Sequence, residues 1–388
     1  MTQQQYKRNL RLINWLSAMN ASSFFVAFAV PFWLGAGLTQ QKIYLLQGIF
    51  TVVMIVLEIP TGMIADRVGR RRSLIAAGLL ASIGFGFYSL AHGFWQFALA
   101  ETMLALGISL NSGTVQAMRH ESTIASGNGE SGRKTAGTAQ AYGMMAAAIS
   151  AALSGIIVKY LGLRATMLFD AGTYLLATAI AFRMSEPPHL QRNKQARLRT
   201  HLPLLISLAG LIGLFALLSE ATHIPVHLNA RILQAANINV GWFGAVFAGL
   251  NIAGAIAAHS GHRLEDRLGE KRTAVMLVTL GFVAYLATGL LPAGLASISI
   301  FGFAVMRGLN KPLMDHALNS RIHDDSARAT INSCSTLVAR VLYLVAGPLI
   351  GGVVDSHGAQ SGYLVTGIAF GALSAGALWA SRNLLERR

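Results

Sequence analysis

The chain has 388 residues, of which 53% are hydrophobic and 12% charged, with a formal net charge of +15. That is about half the charge of a soluble domain, too little to cover a water-facing surface. The composition excludes a soluble basic nucleic-acid binder, and one cysteine, Cys334, excludes a disulfide framework or a thiolate metal cluster.

Apolar runs of about 20 residues recur along the chain, as a hydrocarbon layer of about 30 Å requires. The first span is read over residues 10–34, behind Lys7, Arg8 and Arg11. Its start resembles a signal peptide, but Asn14, Asn20, Ser22 and Ser23 stud it and further spans follow directly, so it is read as uncleaved. Polar groups such as Asn20 are costly against lipid and are expected to face a wet cavity, with Phe24 as a candidate aromatic wall. The second span, residues 42–65, places Glu58 two residues before Pro60 and inside hydrocarbon, where a carboxylate must be protonated or paired. The third, 73–91, is a Gly/Ala-rich packing span. The fourth, 94–118, carries Glu101 as the one charge in its body, then Asn111. A glycine- and serine-rich loop, 126–133, leads to the fifth span at 135–160. The sixth, 163–182, holds Asp170, expected to be structural.

A stretch with Arg192, Lys194, Arg197 and Arg199 then separates two halves and suits an anionic lipid surface. The seventh span, 202–224, ends in Glu220, His223 and His227, which share one helix face. Carboxylate and imidazole suit several divalent ions, but Pro225 interrupts the helix and no further ligand is near, so no metal is expected; a proton relay or a wetted helix end stands beside it. The remaining spans are read at 240–258 with Asn251, at 273–291, at 295–318 with Arg307 and Asn310, at 330–354 with Arg340, and at 360–380.

Between the second and third spans runs Gly62-Met-Ile-Ala-Asp66-Arg67-Val-Gly69-Arg70-Arg71-Arg72. Gly62 and Gly69 are expected to allow close helix approach and a sharp reversal, and Asp66 to pair with an arginine or sit at a helix terminus. Asp66, Arg67 and Gly69 recur 200 residues later as Asp266, Arg267 and Gly269, and Leu110-Asn111 recurs at 199 as Leu309-Asn310. Such offsets mark a duplicated bundle. Of the 31 lysines and arginines, Lys42, Lys159, Arg164 and Arg231 fall on one side and Arg340 within a span, with the great majority opposite. That bias predicts a cytoplasmic (inner) membrane protein with both termini in the cytoplasm. No phosphate-cradling loop or nucleophile elbow is present, so neither ATP-driven pumping nor an enzyme is expected.

Gly62, Asp66, Arg67, Gly69, Arg70 and Arg71 resemble the loop signature of the major facilitator superfamily, with a degenerate copy at Gly261, Asp266, Arg267 and Gly269. The resemblance implies an all-α membrane protein of 12 transmembrane helices in two six-helix bundles, residues 1–185 and 201–388, joined by a linker at 186–200. It implies gating roles for Gly62, Asp66, Arg67, Gly69, Arg70, Asp266, Arg267 and Gly269. In that family helices 1, 4, 7 and 10 line a central cavity and helix 2 packs against helix 11, which makes Glu58 and Arg340 an expected interdomain ion pair. Leu57-Glu58-Ile-Pro-Thr-Gly62 resembles an efflux-like sub-group. The expected protein is a monomeric secondary transporter that exports an amphipathic compound or drug by alternating access, using a proton gradient and no bound cofactor. Its partners are the lipid bilayer and a small-molecule substrate, not nucleic acid. Glu101, Glu220 and Glu58 are the proton-coupling candidates; Asn20, Phe24, Asn111, Asn251, Arg307 and Asn310 are the substrate-binding ones. The alternative is uptake or exchange of a metabolite, lipid or metal-chelate anion around Arg307; a membrane-embedded enzyme is more remote. Two departures from drug antiporters stand out. The fourth span lacks their arginine, and the fifth has Ser154-Gly155 without a proline, while Gly347-Pro348-Leu-Ile-Gly351-Gly352 stands in the eleventh.

Overall fold

The computed structural model describes residues 3–127, 132–188, 198–322 and 325–385. The linker cations Arg192, Lys194 and Arg197, and part of the 126–133 loop, lie outside the described residues. Every regular element among the described residues is helical. In chain order these are α1 (Gln3–Ala21), α2 (Ala29–Gly35), α3 (Gln40–Val68), α4 (Arg70–Leu90), α5 (Phe94–Ala125), α6 (Gly132–Leu161), α7 (Leu163–Phe182), α8 (Leu198–Ser207), α9 (Ala209–His223), α10 (Asn229–Ala235), α11 (Phe243–Leu290), α12 (Ala293–Asn319), α13 (Asp325–His357) and α14 (Ala359–Leu385). Eleven stretches among the described residues are long and apolar enough to cross a membrane. The 32-residue α5 completes a set of twelve, its apolar window diluted by polar and charged residues. Large apolar side chains stand outward, Ile59 at 75% and Trp95 at 80% exposure. Water would not tolerate so many of them; lipid does.

Close contacts divide the chain into two units, one of residues 1–38, 46–192 and 240–248, the other of 39–45, 193–239 and 249–388. A short segment of each half therefore groups with the other. In the first unit α4 lies against both α5 and α7. Gly107 makes the α4–α5 approach possible: a Cβ there would stand 2.9 Å from the Ala77 carbonyl oxygen. Ile13, Leu16, Leu74, Met118, Ala177 and Met184 share one buried cluster.

The first span, expected as a single helix, is broken, and the seventh gives way where Pro225 interrupts it. α1 stops at Ala21, and a 3-10 turn at Val26–Phe28 leads into α2. The break frees backbone N–H groups inside a membrane span, where each must find an acceptor. Ser23 N–H donates to Ser150 Oγ at 2.9 Å; Phe24 and Phe25 N–H donate to the two Asp170 oxygens at 2.9 and 3.0 Å. Asp170 thus has the structural role expected of it. In the second unit α9 gives way at a 3-10 turn, Ile224–His227, containing Pro225, before α10. Here the freed groups are carbonyls: Tyr44 Oη donates to Ile224 O at 2.8 Å and Gln40 Nε2 to His227 O at 2.9 Å. Both donors lie in the 39–45 segment that groups with this unit.

Candidate functional site

What reads as a polar loop after the second span is two helix ends meeting at one residue. α3 runs through Asp66 and Arg67 to Val68, α4 begins at Arg70, and Gly69 alone makes the reversal with φ 102° and ψ 153°. Its counterpart Gly269, at φ 75° and ψ 162°, bends α11. Backbone in this region is accessible essentially to glycine alone. Gly62 does something else than expected. It lies inside α3, exposed, with nothing within 4 Å of where a Cβ would stand, because the helix continues past it for another turn and a half before reversing.

Arg70 is the centre of the turn. Its guanidinium lies 2.8 Å from Asp66 Oδ1 and 3.0 Å from Glu121 Oε1, and it is 9% exposed. Being the first residue of α4, it places a cation at the positive end of a helix dipole. Glu186 offsets this, accepting from the backbone N–H groups of Arg70 at 2.5 Å and Arg71 at 2.9 Å. Arg67 points outward. In the second unit Arg321 Nη2 sits 2.5 Å from Glu270 Oε2 and donates to Leu384 O at 2.7 Å. Asp266 and Arg267 are exposed there, and Glu270 stands where the first unit has Arg70.

The substrate candidates fall into small polar groups. Asn20 Nδ2 donates to Asn111 Oδ1 at 3.2 Å, across α1 and α5. Asn310 Nδ2 donates to Ser219 Oγ at 3.4 Å, across α12 and α9. Both pairs are 91 residues apart, and each member of the second lies 199 residues after its counterpart. Duplication has thus kept a polar contact on the corresponding helices of each unit. Arg307 Nη2 donates to Asn251 Oδ1 at 3.1 Å, and this pair is particular to the second unit: Val52 and Ile108 occupy the corresponding places in the first. Phe24 is not grouped with these residues; its ring lies 5.5 Å from that of Phe169.

Glu101 is buried and accepts from Gln47 Nε2 at 2.7 Å and Tyr88 Oη at 3.1 Å, while Trp33 Nε1 donates to Tyr88 Oη at 2.7 Å. Glu220 is also buried, with His223 Nδ1 3.4 Å from its Oε2. The His223 ring stacks on Tyr343, centroids 4.7 Å apart, and Tyr44 and His227 lie beside it. No group of three metal-ligating side chains occurs among the described residues. Glu58 is on an exposed face of α3 and Arg340 is half-buried on α13, in the other unit.

Sequence reasoning missed several participants, Ser219, Glu270 and Arg321 among them. Arg119, and the pairing of Glu121 with Arg70, escape because the apolar run of the fourth span ends at 118, whereas α5 continues to Ala125; its last turns are polar, and the hydropathy signal fades before the helix does. Glu186 stands beside a Pro-Pro pair and reads as linker, and only the fold brings it back to α4.

A duplicated bundle of long apolar helices, with paired polar contacts on corresponding helices of each unit, is the architecture of a membrane transporter. The Major Facilitator Superfamily profile matches residues 10–339, and the chain belongs to that superfamily. No curated protein matches it by sequence. Among solved structures it is similar to a bacterial homologue of the human lysosomal transporter Spinster in an inward-facing, unoccupied conformation, with 15% identity, a TM-score of 0.80, and coverage of 100% of this chain and 99% of that one. It is similar to the nucleoside transporter NupG at 11% identity and TM-score 0.77, covering 99% and 100% of the two chains. A POT family transporter in complex with 5-aminolevulinic acid matches at 11% identity and TM-score 0.72, over 98% and 97%. At such identities the likeness is one of fold.

Proposed function

We propose that this chain is a proton-driven secondary transporter that exports an amphipathic small molecule across the cytoplasmic membrane by alternating access. The observation that carries the reading is the repeated polar contact, Asn20–Asn111 and Ser219–Asn310, in which one helix of each pair, α1 or α9, ends within about a turn of its polar residue. Polar pairs inside a span and backbone irregularity at the same level suit a hydrated path, not a lipid-packed one. On this reading Glu101, Glu220 and Glu58 are the proton carriers, Asn20, Asn111, Asn251, Arg307 and Asn310 touch the solute, and the Asp66–Arg70 turn with its copy at Asp266 and Gly269 times the motion. Glu58 and Arg340 pair across the units in one of the two states.

A second reading, uptake or exchange of an organic anion, is favoured by Arg307, which donates to a neutral asparagine and has no carboxylate partner among the described residues. Proteoliposomes under an imposed pH gradient test both. Solute-dependent proton entry that falls in Glu101→Gln or Glu220→Gln supports coupled export. Solute exchange without proton movement favours the second reading. Wild-type proton flux in both variants removes these two residues as carriers.

A further inference from the structure

The first unit contains a cavity of about 450 Å³ between α1, α5 and α6, lined by Ser17, Ala21, Arg119, Ala136, Gln140 and Met144 among others. Its size is that of a small-molecule site. The walls are alanine, glycine and methionine apart from Ser17, Gln140 and Arg119, and Arg119 is the one charge among the described lining residues. It lies six residues from the end of α5, about 9 Å along the helix. Its Nε is buried and lacks a hydrogen-bond partner, and no carboxylate pairs with it among the described residues. Arg70, in the same unit, has two. A guanidinium stays protonated, and a cation half-withdrawn from water beside apolar walls calls for a counter-charge. Its planar fork matches a carboxylate, phosphate or sulfonate.

We propose that this cavity binds an amphipathic organic anion, Arg119 holding the charged group with Ser17 and Gln140 at hand, and the small-residue face of α6 taking a flat apolar body. As a statement about cargo the proposal rests on the transport reading; as a statement about binding it does not. A membrane phospholipid offers the same chemistry as a soluble organic phosphate, and the arms of the test separate them.

The purified full chain is titrated with four probes that share one body: 2-naphthalenesulfonate, 2-naphthyl phosphate, 2-naphthyl-trimethylammonium and 2-naphthol. Both anions are expected to bind at least about tenfold more tightly than the cation or the alcohol, the scale of one charge-assisted hydrogen bond. Arg119→Gln loses about tenfold or more for the anions, Arg119→Lys less, and Arg183→Gln, an exposed cation at the end of α7, nothing. If Arg119→Gln fails to fold, Ala136→Leu, which narrows the cavity and keeps the charge, must weaken the anions instead. Equal binding of cation and anions, anion binding unchanged in the Arg119 variant, or no anion binding at all overturns the proposal. Competition by phosphatidylglycerol and not phosphatidylcholine assigns the anion to a lipid, and sulfonate flux into proteoliposomes assigns it to cargo. Anions bound but never carried keep the site and remove it as a cargo site; proton-coupled flux of cations with no anion bound keeps the transport reading and overturns the site.

Discussion

At the Gly69 turn an arginine on α4 reaches a glutamate near the end of α5, 51 residues on; at the Gly269 turn a glutamate on α11 reaches an arginine just past α12, again 51 residues on. The meeting point has been kept through duplication and the charges have traded places. The surroundings differ in the way this exchange demands. Arg70 opens a helix, where a cation is disfavoured by the dipole, and three carboxylates gather about it: Asp66, Glu121 and Glu186 on the helix N–H groups. Glu270 opens the corresponding helix as an anion, which the dipole favours, and its partner Arg321 is satisfied by carbonyls. The pair is a local tie in each unit, and its sign is set by what else lies at the helix start.

Breaking one partner of each pair is the strongest test of that contrast. Arg70→Met removes the guanidinium from the Arg70–Glu121 pair, whose glutamate is 4% exposed, and breaking a buried pair costs about 3–5 kcal/mol. The exchange of both charges separates the units. Arg70→Glu with Glu121→Arg sets a carboxylate against Asp66 and Glu186 and recovers little. Glu270→Arg with Arg321→Glu places a cation one turn after Asp266 and rebuilds the first unit's i,i+4 pair; it recovers more than the first exchange but not all of the loss, because the new carboxylate faces the Leu384 carbonyl. Thermal unfolding followed by labelling of Cys334 reads all four variants, Glu270→Met being the single change of the second unit. Equal recovery in both units would show that the surrounding carboxylates do not choose the sign.

The broken spans extend the contrast from side chains to backbone. The first unit satisfies its break through N–H groups and an anion, Asp170; the second through C=O groups and the neutral donors Tyr44 and Gln40. Hydrogen bonds to a charged group are worth about 1.5–3 kcal/mol each, neutral ones about 1. Asp170→Asn keeps the shape but offers a single acceptor oxygen, and is expected to cost about 3 kcal/mol; Tyr44→Phe removes one neutral donor and costs about 1–2 kcal/mol. The same unfolding measurement ranks them. A larger loss for Tyr44→Phe would mean that the second break depends on its donor more than the first does on its acceptor.

The bundle, its duplication and the Asp66 turn were legible because each leaves a one-dimensional trace: apolar length, a repeat near 200 residues, and a glycine set among charges. Asn20 and Asn111 were legible as polar residues in spans, though not as partners, since 91 residues separate them and nothing local records their contact. Arg119 and Glu186 were illegible for opposite reasons. One belongs to a helix end too polar to show in a hydropathy window; the other belongs to a segment whose prolines announce a linker. The break in the first span was hidden because the residue that satisfies it, Asp170, lies on a distant helix, whereas Pro225 marks the one at the end of the seventh. A run such as Ser22-Ser23-Phe24-Phe25 is as apolar on average as the helix it interrupts.

The smallest expected effect tests whether the two turns differ in backbone or only in their neighbours. Gly69 and Gly269 share nearly the same φ and ψ, so a methyl group is strained at either by about 1–3 kcal/mol. At Gly269 nothing stands within 4 Å of the added Cβ, and Gly269→Ala should cost about 1 kcal/mol, the low end of that range. At Gly69 the Cβ would stand 3.1 Å from Glu186 Oε1, the atom that caps Arg70. Gly69→Ala should therefore cost about 2 kcal/mol, the excess coming from the displaced cap. Adding Glu186→Gln discriminates. If the excess comes through the cap, the double variant loses less than the two single losses together. Strict additivity would place the whole cost in the backbone and leave the two turns distinguished by charge alone.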